Sequence, residues 1–105
     1  MMKKIAILGS TGSIGRNTLN VIKNLNNNGY DLQVVFLSSF SNYELLLHQI
    51  KEFNVASACI IEDINFLDVK QKCKTQGCNL LQGYDALIES INPSISPPKI
   101  EILLL

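Results

Sequence analysis

The residues whose types and spacing could do chemistry lie close to the amino terminus, in Gly9-Ser10-Thr11-Gly12-Ser13-Ile14-Gly15. Glycine at every third position suits a loop that must turn tightly and let its backbone approach a phosphate. In that reading Gly9 makes the turn, Gly12 admits a pyrophosphate, and Gly15 lets a helix pack closely on a strand. The first-turn N–H groups of a helix opening here, together with its positive end, favour an anion. Ser10, Thr11 and Ser13 add hydroxyl donors. The spacing is Gly-x-x-Gly-x-x-Gly rather than Gly-x-Gly-x-x-Gly, so the glycines alone also admit a purely structural tight turn. An ATP loop of the Walker type is disfavoured, because no Lys-Ser or Lys-Thr follows the glycines.

Such a loop works only between a strand and a helix, and the flanking sequence supplies both. Residues 4–8 form a short apolar run that predicts a buried first strand. Ile14, Thr18, Val21, Ile22 and Leu25 then recur at helical spacing, with Arg16, Asn17, Asn20 and Lys23 opposite. Asn26-Asn27-Asn28-Gly29 ends that helix. Residues 32–37 predict a second strand. Ser41 and Glu44 have the spacing of a capping box for a helix carrying Leu45, Leu46, Gln49, Ile50 and Phe53. Residues 58–61 predict a third strand, and Glu62-Asp63 a cap for a helix with Phe66, Leu67, Val69 and Cys73. Leu80-Leu81 suggests a fourth strand. A brief helix over 83–91 follows, with Leu87, Ile88 and Ile91 inward. Pro97-Pro98 makes residues 92–98 a connector, and residues 99–105 return to strand character. Repeated strand–helix alternation predicts an α/β, Rossmann-like, doubly wound parallel sheet. The sheet is expected to be incomplete at the carboxyl terminus. A strand ending on Leu103-Leu104-Leu105 has nothing after it to cover its faces, so a truncated chain is expected, with a complete small domain as the alternative.

The end of the second strand bears on which dinucleotide the loop would take. An NAD site often places Asp or Glu there for the ribose hydroxyls. Here residues 37–42 read Leu-Ser-Ser-Phe-Ser-Asn, with no acid. A 2′-phosphate would meet no carboxylate, and Ser39, Ser41 and Asn42 could donate to it. No Arg or Lys stands nearby, and the same polar residues could simply cap the next helix.

At 105 residues with 47% apolar content, the chain fits one domain with a core of its own. Nine basic and nine acidic residues are dispersed, so no basic block marks a nucleic-acid partner. The longest apolar runs are far short of a membrane span, and no secretory leader is evident, which points to the cytoplasm and no membrane. Cys59, Cys73 and Cys78 form neither a paired framework nor a metal-ligand spacing, and read as reduced thiols. His48 is the lone histidine and reads as a surface or boundary residue. Asp68 at a helix start reads as a capping group rather than a metal ligand. Tyr43 and Tyr84 lack a lysine partner at reductase spacing.

Residues 4–15, Lys-Ile-Ala-Ile-Leu-Gly-Ser-Thr-Gly-Ser-Ile-Gly, followed by Thr18-Leu19, resemble the start of the 1-deoxy-D-xylulose 5-phosphate reductoisomerase family. The likeness continues more loosely through the second strand, residues 58–62 and Leu81-Gln82-Gly83. It implies that residues 1–105 are the NADPH-binding, Rossmann-like amino-terminal domain, about the first quarter of the family's protein. It also implies NADPH contacts from Thr11, Gly12, Ser13 and Ile14, and from Ser41 and Asn42 beyond the second strand; with Gly9, Ser10 and Gly15 of the loop and Ser39 and Phe40 they make up the candidate cofactor-binding set. The family usually has Ala-Gly-x-Asn there, and Phe40 replaces its glycine. A phenyl ring at that point can stack near an adenine or obstruct it. The resemblance further implies an oxidoreductase of the non-mevalonate route to isoprenoids. The full-length enzyme makes 2-C-methyl-D-erythritol 4-phosphate with NADPH and Mg²⁺ or Mn²⁺, as a homodimer. The family's metal carboxylates, substrate-phosphate residues and active-site histidine come later in its sequence. These 105 residues are therefore expected to bind cofactor but not to turn over substrate alone. A stand-alone nucleotide-binding module and a non-catalytic remnant are the other expectations.

Overall fold

The computed structural model describes residues 2–62, 65–91 and 100–104. β1 (Met2–Leu8), β2 (Asp31–Ser39), β3 (Ser57–Ile60), β4 (Asn79–Gln82) and β5 (Ile100–Leu104) pair in parallel as one sheet, in the order β4-β3-β2-β1-β5. The intervening helices are α1 (Ser13–Asn27), α2 (Tyr43–Phe53), α3 (Phe66–Thr75) and α4 (Gly83–Ile91). Each strand-to-strand crossover from β1 to β4 steps the same way across the sheet. With right-handed crossovers this puts α1, α2 and α3 on one face. Their apolar residues share a core with Ile5, Ile7, Val34, Leu37, Ala58 and Ile60. The step from β4 back past β1 to β5 reverses direction, and α4 takes the opposite face. There Leu87 packs on a smaller cluster of Ala6, Leu8, Phe36 and Cys59. The result is a Rossmann-like, doubly wound sheet whose winding reverses between β1 and β5.

Alternation along β1 explains the two cores: Ile5 and Ile7 face one layer, Ala6 and Leu8 the other. β2 keeps step with it through an irregularity at Ile5/Ala6, where Ile5 pairs with Val34 but Ala6 with Phe36. The extra residue, Val35, keeps both apolar pairs on their proper faces.

Several local expectations are corrected. The inward face of α1 is Gly15, Leu19 and Ile22, whereas Ile14 and Val21 are exposed. The helix is rotated because its inner stripe must pass through Gly15, where it touches the loop. In α2 the cap is Asn42, not Ser41: its Oδ1 accepts from the Leu45 N–H at 3.3 Å. The Ser41 carbonyl instead closes a turn by accepting from Tyr43 N–H at 2.8 Å. The cap of α3 is Asn65, in the left-handed region at φ 55°, rather than Glu62-Asp63; Asp63 lies outside the described residues. Asp68, in the first turn of that helix, pairs with Lys72 at 3.2 Å. In α4 Leu87 points inward but Ile88 is exposed. The Ile91 side chain, the connector at 92–98 and Leu105 lie outside the described residues.

Candidate functional site at the carboxyl edge of the sheet

Because every strand is parallel, the β1–α1 loop and the segment after β2 open on one edge of the sheet, beside the reversal between β1 and β5. In open α/β sheets the crevice at such a reversal is where ligands sit.

Backbone and side-chain bonds hold the β1–α1 loop from below. Gly9, at φ 79°, makes the turn out of β1 in a conformation that side chains avoid. Its N–H and that of Ser10 both donate to the Ser38 carbonyl, at 3.1 and 2.9 Å. Gly9 N–H also reaches Ser38 Oγ at 3.1 Å. Ser10 is fully buried. Its hydroxyl donates to Gln49 Oε1 at 2.8 Å, and Gln49 Nε2 donates back to the Ser10 carbonyl at 2.9 Å. The loop is thereby clamped between the end of β2 and the inner face of α2. Thr11 and Ser39 share a hydroxyl–hydroxyl bond of 2.7 Å at the rim.

Beyond that clamp the loop presents donors. Gly12 is the residue before α1, with φ −76° and ψ 173°, and no side chain caps the helix. Its carbonyl accepts the Arg16 N–H at 2.9 Å, the first bond of the helix. The N–H groups of Ser13 and Ile14 therefore have no acceptor within α1. Both residues are exposed, as is Gly12. A Cβ added at Gly12 would meet nothing nearer than the Gly9 carbonyl at 3.7 Å, so the space above it is open. Gly15 differs: a Cβ there would collide with the Gly9 carbonyl and come to 2.7 and 2.8 Å from Ser10 Cα and C. One glycine serves the chain's own packing, while the other keeps a space the fold does not fill.

After β2, Ser39 is buried and Phe40 is 58% exposed. The Phe40 carbonyl accepts from the Glu62 N–H at 2.8 Å, which ties this segment to the end of β3. Ser41 is half-buried. Asn42 is exposed, with Oδ1 occupied by the α2 cap. The residues singled out from sequence for cofactor contact thus lie along two adjoining segments of one edge. Ser10 and Ser39 are fully buried, and their hydroxyls bond Gln49 and Thr11 within the chain.

Sequence reasoning did not assign a role here to Ser38 or Gln49. The signal for Gln49 was its place on the apolar stripe of α2, between Leu46 and Ile50, where an amide must have a buried partner. Among the other candidates, His48 is exposed on α2, Tyr84 is exposed on α4, and Tyr43 packs at the margin of the larger core. Among the described residues no three His, Cys, Asp or Glu side chains gather as a metal-ligand set. Nor is any described helix long and apolar enough to cross a membrane.

The family model for 1-deoxy-D-xylulose 5-phosphate reductoisomerase matches residues 5–97. The chain belongs to the 1-deoxy-D-xylulose 5-phosphate reductoisomerase family. It is 39% identical over 90 residues to the reductoisomerase of Thermoanaerobacter sp. (strain X514), covering 86% of this chain and 22% of that protein. It is 33% identical over 94 residues to that of Anaplasma phagocytophilum (strain HZ), covering 90% and 24%. Among solved structures, the Zymomonas mobilis reductoisomerase in complex with NADPH superposes with a TM-score of 0.74 at 31% identity, over 85% of this chain and 23% of that one. A DOX-P reductoisomerase in complex with NADPH, fosmidomycin and magnesium gives 0.73 at 33% identity, over 84% and 21%. The reductoisomerase-family chain thus spans between a fifth and a quarter of the length of these relatives, and it matches their amino-terminal portion.

Proposed function

We propose that this chain binds NADPH through the crevice at the carboxyl edge of its sheet, as the dinucleotide-binding part of a 1-deoxy-D-xylulose 5-phosphate reductoisomerase. The observation that carries the reading is the open end of α1. Exposed N–H groups of Ser13 and Ile14 lie beneath an unfilled space at Gly12, beside the reversal in strand order. A pyrophosphate suits this donor set, since it supplies acceptor oxygens and negative charge where the helix offers donors and a positive end. The Thr11 hydroxyl, held by the buried Ser39 hydroxyl, and the amide of Asn42 are the polar groups on the adenosine side. The exposed ring of Phe40 gives an adenine a face to stack on. Gly9, Ser10 and Gly15 hold the loop in shape for this contact, and Ser41 lines the segment between Phe40 and the helix cap.

When bound, NADPH supplies hydride to a carbonyl carbon, and the protein's share is to hold and orient it. The residues of this crevice do that holding. On this reading the metal and the substrate are held by the remainder of the full-length enzyme. That enzyme acts on 1-deoxy-D-xylulose 5-phosphate in isoprenoid synthesis, and these residues alone give no turnover.

The test is titration of the purified 105-residue chain with NADPH, followed by nicotinamide fluorescence and calorimetry, alongside Gly12→Asp. A carboxylate at that position can cap α1 and so preserve the fold, yet it sets a negative charge against the pyrophosphate. Saturable one-to-one binding by the parent, lost in a Gly12→Asp variant that still melts cooperatively, is the expected result. Equal affinity in the two would refute the assignment.

A further inference from the structure

Away from the crevice, the connection from α3 to β4 brings two thiols together. The Cys78 N–H donates to the Cys73 carbonyl at 2.9 Å, and the Gly77 N–H to the Lys74 carbonyl at 3.0 Å, with Gly77 in the left-handed region at φ 75°. These paired bonds make a Schellman closure, which sets the residue after the glycine against the helical residue five positions earlier. Here both of those residues are cysteine. With standard backbone dimensions, the 2.9 Å bond holds their Cα atoms within about 6.8 Å. Disulfides span Cα separations of about 4.4–6.8 Å.

Both cysteines are buried in the larger core, where the Cys78 thiol donates to the Asn79 carbonyl at 3.8 Å. The neighbouring Cys78 thiol holds the Cys73 thiol below its usual range, while Cys73 and burial push Cys78 up. The pair is not sealed from outside. Cys78 borders a groove of about 440 Å³ lined also by Lys70, Lys74, Gly77, Asn79 and Leu80. β4 is an edge strand, so the turn carrying Cys78 can open without disturbing the sheet interior. Cys59 has no comparable setting. It is fully buried against the second face, its thiol turned to the Gly83 carbonyl at 3.5 Å.

We propose that Cys73 and Cys78 are a paired dithiol that hydrogen peroxide converts to an intramolecular disulfide. One thiol of the pair attacks a peroxide that enters by the groove. Its S–O bond forms as the O–O bond breaks, and the departing oxygen leaves as water with the thiol proton. The other thiol then attacks the sulfenic sulfur. The S–S bond forms, the S–O bond breaks, and the hydroxyl leaves as a second water with the second thiol's proton. The two thiols together lose two electrons, and the peroxide gains them. The cross-link fixes the end of α3 to the start of the edge strand.

The test treats the folded 105-residue chain with hydrogen peroxide at neutral pH without denaturant, then alkylates free thiols and maps peptides by mass. The expected product is a monomer lighter by two hydrogen atoms, with Cys73 joined to Cys78, Cys59 unmodified, and the parent mass restored by dithiothreitol. In Cys73→Ser or Cys78→Ser the second sulfur is gone, so the cysteine that attacks the peroxide should persist as a sulfenic acid that dimedone traps in one of the two variants. Free thiols at both positions in the parent chain, a cross-link to Cys59 or between chains, or direct over-oxidation of one cysteine would each overturn the proposal. Because the decisive readout is on the parent chain, misfolding of a variant does not remove the test.

Discussion

Substituting alanine for either of two glycines in one loop should damage the protein in different ways. At Gly15 the new Cβ would press on the Gly9 carbonyl and stand 2.7–2.8 Å from the Ser10 backbone. To restore ordinary contact, helix and loop must part by about 1 Å, against bonds that tie Gly9 and Ser10 to Ser38 and Gln49. Overpacking of this kind costs about 1–3 kcal/mol, offset by up to about 1 kcal/mol of better helix propensity. A net loss of about 1–2 kcal/mol lowers Tm by about 5–15 °C in a domain of this size. At Gly12 the backbone is extended and the space is open. Losing glycine before the helix costs about 0.5–1 kcal/mol, and stiffening the unfolded chain returns about 0.4–1 kcal/mol. Stability should therefore barely change, while a methyl group in the path of the pyrophosphate lowers NADPH affinity at least tenfold, about 1.4 kcal/mol. Thermal melts by circular dichroism and NADPH titrations on both variants separate the two effects. A Gly12→Ala chain that melts well below Gly15→Ala, or that keeps parental affinity, would refute the division of roles.

Two further outcomes follow from buried groups. Gln49→Ala leaves the buried Ser10 hydroxyl and carbonyl short of partners, and should cost about 2–3 kcal/mol in urea denaturation and weaken NADPH binding; an unchanged midpoint would show that the clamp is idle. Burial pushes the Cys59 thiol up to about 11 from an ordinary 9.0, so above pH 9 the unfolded chain releases a proton the folded chain keeps. Its contribution is intact below pH 9 and should be lost, by about 2–3 kcal/mol, as pH rises to about 11. The same alkaline loss in Cys59→Ala would contradict this.

The alternation of short apolar runs with amphipathic segments was enough to read each strand and helix among the described residues. Strand order was not legible, because a run such as residues 4–8 carries no mark of which neighbour it pairs with. The loop was legible for a related reason: glycine is demanded by backbone geometry, and Gly9 and Gly15 both meet such demands. Rotation of α1 was misread because Ile14 and Val21 share a helical stripe with Thr18 and Ile22. The helix turns by its contact at Gly15, a residue with no hydropathy to reveal it. The caps of α2 and α3 moved by one or more residues for another reason. Ser41 and Asn42 are both good capping residues, and the choice between them depends on the turn that β2 enters. Ser38 and Gln49 escaped assignment because their roles arise across 28 and more residues of sequence, where no local pattern records them.

On the proposed reading, the crevice residues account for holding a dinucleotide and not for the chemistry. They offer N–H donors, a hydroxyl, an amide and an aromatic ring: Ser13 and Ile14, Thr11, Asn42, Phe40. None of them is an acid or base suited to move a proton, and none is a carboxylate suited to hold a divalent cation. Groups of this kind stabilise a bound dinucleotide equally before and during hydride transfer, which raises affinity without lowering the chemical barrier. The reversal of winding explains how they come together. It sets the β1–α1 loop at the margin of two oppositely wound halves, with α1 pointing its positive end into the gap and β5 bounding the far side. On the proposed reading, the wall formed by β1, β2 and their loops takes the anion and the adenosine. Hydride delivery then asks of these side chains only that they hold the dinucleotide in place, and an acid, a base or a metal acting on the reacting carbonyl would have to come from other residues.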